Sequence, residues 1–423
     1  MSDHGSVASS TAYRFRLRDA LLGGQMLFVA FGSLVLVPLL TGLDPNVALF
    51  TAGAGTLVFQ VVTRGRVPVF LASSFAFIAP IIYGVQTWGI PGTLCGLMAS
   101  GGVYMLLSGL IRWRGVGVIT RSLPPIVTGP VIMVIGLVLA PVAVNLATGL
   151  NGGGDAVLVA SGPALTVSMI ALTVTVAVSL LARGFLSLVP ILAGVLAGYL
   201  ASIPFGLVDL SGVAAAPWLA MPAFVAPEWN WQAILFMVPV TIAPAIEHFG
   251  DIVAIRSVTG QDYLKDPGVD RTMLGDGLAT TLAAVLGGPP NTTYSEVTGA
   301  VTLTKSFNPA LMTWAAGFAI VFAFVGKLGA LLASIPTPVM GGIIILLFGA
   351  IIVVGMNSLV KSGEDLSEPR NLAVVGLILV TGIGGLSFSA GDFTLEGIAL
   401  AGVLGVVLNL VLPRRRAKTQ NTP

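Results

Sequence analysis

Long apolar runs alternate along the chain with short polar breaks, and the runs have the length of a bilayer rather than of a globular helix. A membrane span needs about 20 apolar residues to cross about 30 Å of hydrocarbon. At that length the sequence shows fourteen runs: 20–42, 45–63, 67–83, 90–111, 123–147, 162–182, 185–203, 232–255, 272–288, 290–306, 308–333, 336–357, 371–388 and 394–413. They predict an all-α membrane protein with 14 transmembrane segments. The third and tenth runs are short and contain the polar stretches Ser73 to Phe77 and Pro290 to Glu296. Non-helical backbone at membrane depth survives only where protein buries it or a cavity wets it. Both segments are therefore expected to be discontinuous, with short extended strands.

The two breaks resemble each other. Ser73-Ser74-Phe75-Ala76-Phe77 and Thr292-Thr293-Tyr294-Ser295-Glu296 share the order hydroxyl, hydroxyl, aromatic, small, with Phe77 standing where the later copy has Glu296. Matching breaks in two halves of a membrane protein point to a transporter binding site. A second pair of stretches lies the same number of runs apart: Pro125-Ile126-Val127-Thr128-Gly129 with Gly136, and Pro338-Val339-Met340-Gly341-Gly342 with Gly349. The fifth run thus resembles the twelfth. A repeat of seven spans, an odd number, places the second copy upside down, so two inverted 7-segment repeats are expected with a site at their midplane interface. Against this stands the commonness of proline and glycine in membrane helices.

Lysine and arginine concentrate on the cytoplasmic side of membrane proteins. With fourteen spans, Arg14, Arg16, Arg18, Arg64, Arg66, Arg112, Arg114, Arg121, Arg183, Arg256, Lys265, Arg271, Lys305, Lys361, Arg370, Arg414, Arg415, Arg416 and Lys418 fall on one face, and only Lys327 does not. Both termini are expected to be cytoplasmic, with a loose N-terminal tail over 1–19 and a short tail over 414–423. No removable signal is read in the first residues.

Composition agrees and narrows the classes. The chain is 55% hydrophobic and 9% charged with a mean hydropathy of +0.97, far from the roughly 25% charged residues of soluble domains. Its net charge of +2 is scattered, with no basic stripe, so nucleic acid is not an expected partner. One cysteine, Cys95, and two histidines, His4 and His248, exclude a disulfide framework and leave little for a metal; no cofactor is expected. No His-Glu-x-x-His or Gly-x-Ser-x-Gly pattern supports an intramembrane enzyme.

Acids at membrane depth mark function by default. Glu247 and Glu296 are such acids, and Asp251 lies one helical turn from Glu247 on the same face. Asp251 is read either as a proton relay or as a group that holds Glu247. His248 points about 100° away from Glu247 and is read as a satisfied core histidine rather than a ligand. Phe75 and Tyr294 either stack on a flat ligand or simply pack, and Asp276 either acts in the site or bonds nearby backbone. The alternative of an anion transporter is disfavoured by paired midplane carboxylates and by the short stretch after Pro413.

These motifs, in order, resemble the nucleobase-ascorbate transporters, and among them the bacterial uracil permeases. The likeness runs through Gly32 to Pro38, Ser73 to Pro80, Gly129 to Leu137, Glu247-His248-Phe249-Gly250, Lys265-Asp266-Pro267-Gly268, Asp276 to Thr280, Pro290 to Glu296 and Pro338 to Gly342. It implies a core domain, 20–122 and 232–335, and a gate domain, 123–231 and 336–413. It also implies a nucleobase importer of the bacterial inner membrane, coupled to protons and dimeric through the gate domain. By the same resemblance Glu247 and Glu296 meet ring N–H groups and backbone near Phe75 and Ser295 meets ring carbonyls; Ser74 and Tyr294 are expected to line the site, and Glu247, Asp251 and Glu296 to carry the coupling proton. An acid in an apolar cavity suits that task, because desolvation disfavours charge, and no oxygen cage for sodium is evident. Four positions depart from the uracil pattern. Asp251 replaces a histidine, Ser295 a glycine, Val297 an asparagine and Phe348 a tyrosine; the first two lean toward purines such as xanthine or uric acid.

Overall fold

The computed structural model describes residues 11–115, 117, 124–390 and 393–413. His4, Arg121 and Arg414 to Lys418 lie outside the described residues, as does the side chain of Ser295. The protein is mostly helical. In chain order come α1 (Ala20–Thr41), α2 (Pro45–Val62), β1 (Leu71–Ser73), α3 (Ile78–Arg114), α4 (Pro125–Ala147), α5 (Ser161–Leu181), α6 (Pro190–Ser202) and α7 (Ser211–Ala215). They are followed by α8 (Trp231–Val240), α9 (Ile242–Thr259), α10 (Val269–Leu286), β2 (Asn291–Thr293), α11 (Ser295–Thr304), α12 (Ala310–Ala323), α13 (Gly326–Ala333), α14 (Thr337–Ser362), α15 (Pro369–Ile383), β3 (Ser387–Ala390), β4 (Phe393–Glu396) and α16 (Gly397–Val411). Among the described residues, seven helical stretches are long and apolar enough to cross a membrane, and four shorter apolar helices accompany them.

Local chemistry sets the boundaries. Gly42, at φ +78°, ends α1 in the left-handed region, and Asp44 then caps α2 by accepting from the Asn46 and Val47 amides at 2.6 and 3.3 Å. Proline opens α2, α4, α6 and α15, where its missing N–H costs nothing and its fixed φ already suits a helix. Gly89, at φ +70°, turns the chain inside α3, separating the third run from the fourth as expected.

Several runs depart from expectation. The eighth divides at Thr241, just after Pro239, and the eleventh at Phe324 and Val325. The thirteenth leaves the helix at Ile383 and enters an unforeseen hairpin that pairs Ser387 with Glu396 and Phe388 with Leu395. The N-terminal tail is not loose over residues 11–19. Asn308 accepts from the Arg14 amide at 3.1 Å and donates to the Arg14 carbonyl at 2.8 Å, while Phe15 stacks on Trp314 at 4.6 Å. Lys327, the residue on the wrong side of the charge pattern, also has a local reason: its Nζ donates to the carbonyls of Val213 and Ala214 at 2.8 and 3.4 Å, at the end of α7.

Helices pack in two groups. One joins α4, α14, α5 and α6 with α15 and α16; the other joins α3, α10, α2, α12, α1 and α8. In the first, α4 and α14 cross antiparallel on glycine. A Cβ on Gly129 would meet the Gly355 carbonyl at 2.8 Å, one on Gly136 the Phe348 carbonyl at 2.6 Å, and one on Gly341 would run into the Ala147 amide. Bare backbone at these points lets the axes approach, as small residues do throughout membrane bundles. In the second group a segment around 217–228 straps the helix ends. The Ala220 amide donates to Phe324, Val225 to Leu286, Glu228 to Pro91, and Ala223 to the Asp44 carboxylate.

At the centre of the second group, β1 and β2 pair antiparallel, with Leu71 opposite Thr293, Ala72 opposite Thr292 and Ser73 opposite Asn291. The Ser74 amide extends the ladder to the Pro290 carbonyl at 2.9 Å. Superposing the two polar breaks by their sequence match places Ala72 on Asn291 and Ser73 on Thr292. Each cross-strand pair then maps onto another pair of the same ladder.

Candidate substrate site at the strand crossing

Each strand runs directly into a helix start. After β1, a single tight turn over Phe75–Phe77 leads into α3; after β2, Tyr294 is the extended residue that precedes α11. The first N–H groups of a helix lack partners within it and carry the positive end of the helix dipole. Two such ends meet at the crossing, and Glu296 sits in the first turn of α11, where that dipole favours a carboxylate.

Glu247 comes from α9, which packs on β2, α10 and α11. The side chains of Glu247 and Glu296 are open to solvent, yet both lie deep within the protein, which describes a cleft. Glu247 feels the charges of Asp251, Glu296 and Asp276, so the acids form one electrostatic cluster. Asp251 is buried, and its Oδ2 accepts from Thr293 Oγ1 at 2.8 Å. Phe75 is half-buried and Tyr294 buried, with ring centroids 6.3 Å apart and planes tilted by 49°. Among the described residues, the buried hydroxyls of Ser73 and Ser74 have no hydrogen-bond partner, an arrangement that native interiors tolerate rarely without a ligand or water. Of Ser295, the backbone opens α11.

The structure thus gathers Phe75, Ser74, Tyr294, Ser295, Glu247, Asp251 and Glu296 around the strand crossing. It also recruits residues that the sequence did not mark. Asp276 does not bond backbone near it in sequence. Its Oδ2 receives His248 Nδ1 at 2.7 Å, Thr292 Oγ1 at 3.0 Å and the Thr293 amide at 3.3 Å. His248 is fully buried and also bonds Thr272 at 3.0 Å, the satisfied core histidine expected. No spacing could reveal these partners, because His248 comes from α9, Thr272 and Asp276 from α10, and Thr292 and Thr293 from β2. Phe348 is buried against α4. Among the described residues no group of three or more His, Cys, Asp or Glu is disposed to hold a metal ion. A separate cavity of about 480 Å³ lies beneath the strap, but its one carboxylate, Asp44, is engaged in capping α2.

Paired acids, helix starts and an aromatic pair can hold a small planar molecule that offers both hydrogen-bond donors and acceptors. Helices broken at a protein-buried strand pair, with acids at the break, define a multi-pass membrane transport protein. The chain belongs to the permease family, whose pattern matches residues 18–390. It is 52% identical over 405 residues to a probable uracil permease of Haemophilus influenzae, covering 96% of this chain and 97% of that one. It is 45% identical to the uracil permease of Bacillus caldolyticus, covering 94% and 92%. In fold it resembles the transmembrane domain of the cyanobacterial bicarbonate transporter BicA, with a TM-score of 0.65 at 15% identity over 94% of this chain and 99% of that one.

Proposed function

We propose that the protein is a proton-coupled importer of uracil in the bacterial inner membrane. The observation that carries this reading is the pair of solvent-reached carboxylates, Glu247 and Glu296, set beside a strand crossing inside an apolar bundle. Uracil alternates ring N–H donors with C=O acceptors. Two carboxylates complement the donors, and the helix starts at Phe75 and Ser295 complement the acceptors. Phe75 and Tyr294 supply apolar faces for the ring. The relatives named as uracil permeases, at 45% and 52% identity, favour uracil over the purines toward which Asp251 and Ser295 lean.

The same reading assigns fourteen spans in two inverted repeats. The ladder whose pairs exchange under the sequence match and the antiparallel contact between α4 and α14 support it. The two packing groups support a core domain over 20–122 and 232–335 and a gate domain over 123–231 and 336–413, with a homodimer formed through the gate. The arginines of the described segments favour cytoplasmic termini.

Uptake into proteoliposomes with labelled uracil tests the substrate. Unlabelled uracil should compete, while xanthine, uric acid and thymine should compete far less. Stronger competition by xanthine or uric acid would transfer the assignment to the purines.

A further inference from the structure

Beside the cleft lies a second polar cluster, sealed from solvent: His248, Asp276, Thr272, Thr292 and Thr293 are all buried. A pair of apolar side chains would fill the same volume without desolvating an ionisable group, so packing alone does not account for an imidazole here. Its geometry is specific. On one side of the ring, Nε2 and the Thr272 hydroxyl share a hydrogen bond at 3.0 Å. On the other side of the ring, Nδ1 meets Asp276 Oδ2 at 2.7 Å. That same oxygen accepts from Thr292 Oγ1 and from the Thr293 amide. One carboxylate oxygen therefore joins α9, α10 and β2.

The two ends of this clamp are the two carriers of the cleft acids. His248 follows Glu247 on α9, and Thr293 precedes Glu296 by a single turn of chain. Both ring nitrogens are engaged and the ring is fully buried, which excludes His248 as a direct ligand. We propose that His248 is a positioning residue: through Asp276 it fixes β2 against α9, and so sets the separation at which Glu247 and Glu296 grip the substrate. The substrate is that of the function proposed above, and on that reading this one rests.

Three single variants of the full-length protein in detergent separate positioning from packing. His248→Asn keeps an amide donor close to the Nδ1 position, facing Asp276. His248→Gln keeps a group near Nε2, facing Thr272, and His248→Leu keeps neither. Two readouts are taken: the dissociation constant for uracil, and ligand-free hydrogen–deuterium exchange of the segment 288–300. His248→Leu and His248→Gln should weaken uracil binding about tenfold or more, the worth of one hydrogen bond to a charged group, and raise exchange in that segment about fivefold or more. His248→Asn should stay within about threefold of wild type in affinity and about twofold in exchange, although it too loses packing volume. Equal losses in Asn and Leu, or losses that follow the ligand-free melting temperature across all three, would overturn the proposal, as would wild-type behaviour of His248→Leu. Should His248→Leu not fold, the contrast between Asn and Gln decides. If wild-type protein bound no uracil, the functional reading would fall, while the exchange data would still decide whether His248 clamps β2.

Discussion

Thr293 Oγ1 donates to Asp251 Oδ2 across 2.8 Å, tying the helix that carries Glu247 to the strand that delivers Glu296. A hydrogen bond to a charged acceptor contributes about 1.5–3 kcal/mol. Thr293→Val should therefore slow uptake by about tenfold or more, and Thr293→Ser should restore most of it. Asp251→Ala should slow transport more than it weakens binding, whereas Asp251→His should retain uracil binding and shift the pH profile of uptake. Complete loss of binding in a folded Asp251→Ala protein would make Asp251 a direct ligand and favour a purine substrate.

Glu247→Gln and Glu296→Gln each exchange a charged, acceptor-only carboxylate for a neutral amide, one of whose two polar atoms is a donor that cannot complement a ring N–H. Losing a hydrogen bond to a charged acceptor costs about 1.5–3 kcal/mol, so each variant should bind uracil about tenfold to a hundredfold more weakly. Isothermal titration on purified protein is the check. Wild-type affinity in either variant would remove that residue from the site.

Proton coupling is read from the medium rather than from a mutant. Uptake into vesicles should follow an inward proton gradient, rise as the outside becomes more acidic, and be indifferent to sodium. Dissipating the pH difference with a sodium gradient in place should abolish accumulation; persistent accumulation would reject protons as the driving ion.

At the α4–α14 crossing, Gly129 and Gly355 each face the other's carbonyl, and an added Cβ would approach it to 2.8 and 2.5 Å. Overpacking of this kind costs about 1–3 kcal/mol. Gly129→Val or Gly355→Val should lower the melting temperature and slow transport, with little effect on the uracil dissociation constant because the contact lies outside the cleft. Gly102→Val, where a Cβ has nothing within 4 Å, is the control and should be neutral.

The polar breaks were legible because an acid or a row of hydroxyls inside an apolar run has few structural excuses. That signal singled out Glu247 and Glu296 as candidates and pointed to the extended stretches that pair as Leu71–Ser73 and Asn291–Thr293. The partners of Asp276 were not legible: His248 reaches it from α9, and Thr292 and Thr293 from β2, and period or spacing carries no information about such encounters. The hairpin at 387–396 was hidden for another reason. Ser387-Phe388-Ser389 alternates too briefly to stand out from the apolar run before it. The splits at Thr241 and at Phe324–Val325 leave hydropathy unchanged, so a window as wide as the membrane passes over them. Lys327 misled in the opposite sense, as its charge answers two carbonyls at the end of α7 rather than the sidedness of the membrane.

The ladder between Leu71–Ser73 and Asn291–Thr293 also imposes an order on biosynthesis. Ribosomes add about 5–20 residues per second, so by the same arithmetic β2 is made on the order of ten to forty seconds after β1. Throughout that interval the peptide groups of β1 have no strand to pair with, and each unpaired group in hydrocarbon costs several kcal/mol. The early half of the chain cannot come to rest in lipid on its own. It has to wait, shielded by the insertion machinery or by water, until its partner arrives. A nascent chain halted near residue 230, its first strand without a complement, should accordingly be cleared faster in a pulse-chase than the full-length chain.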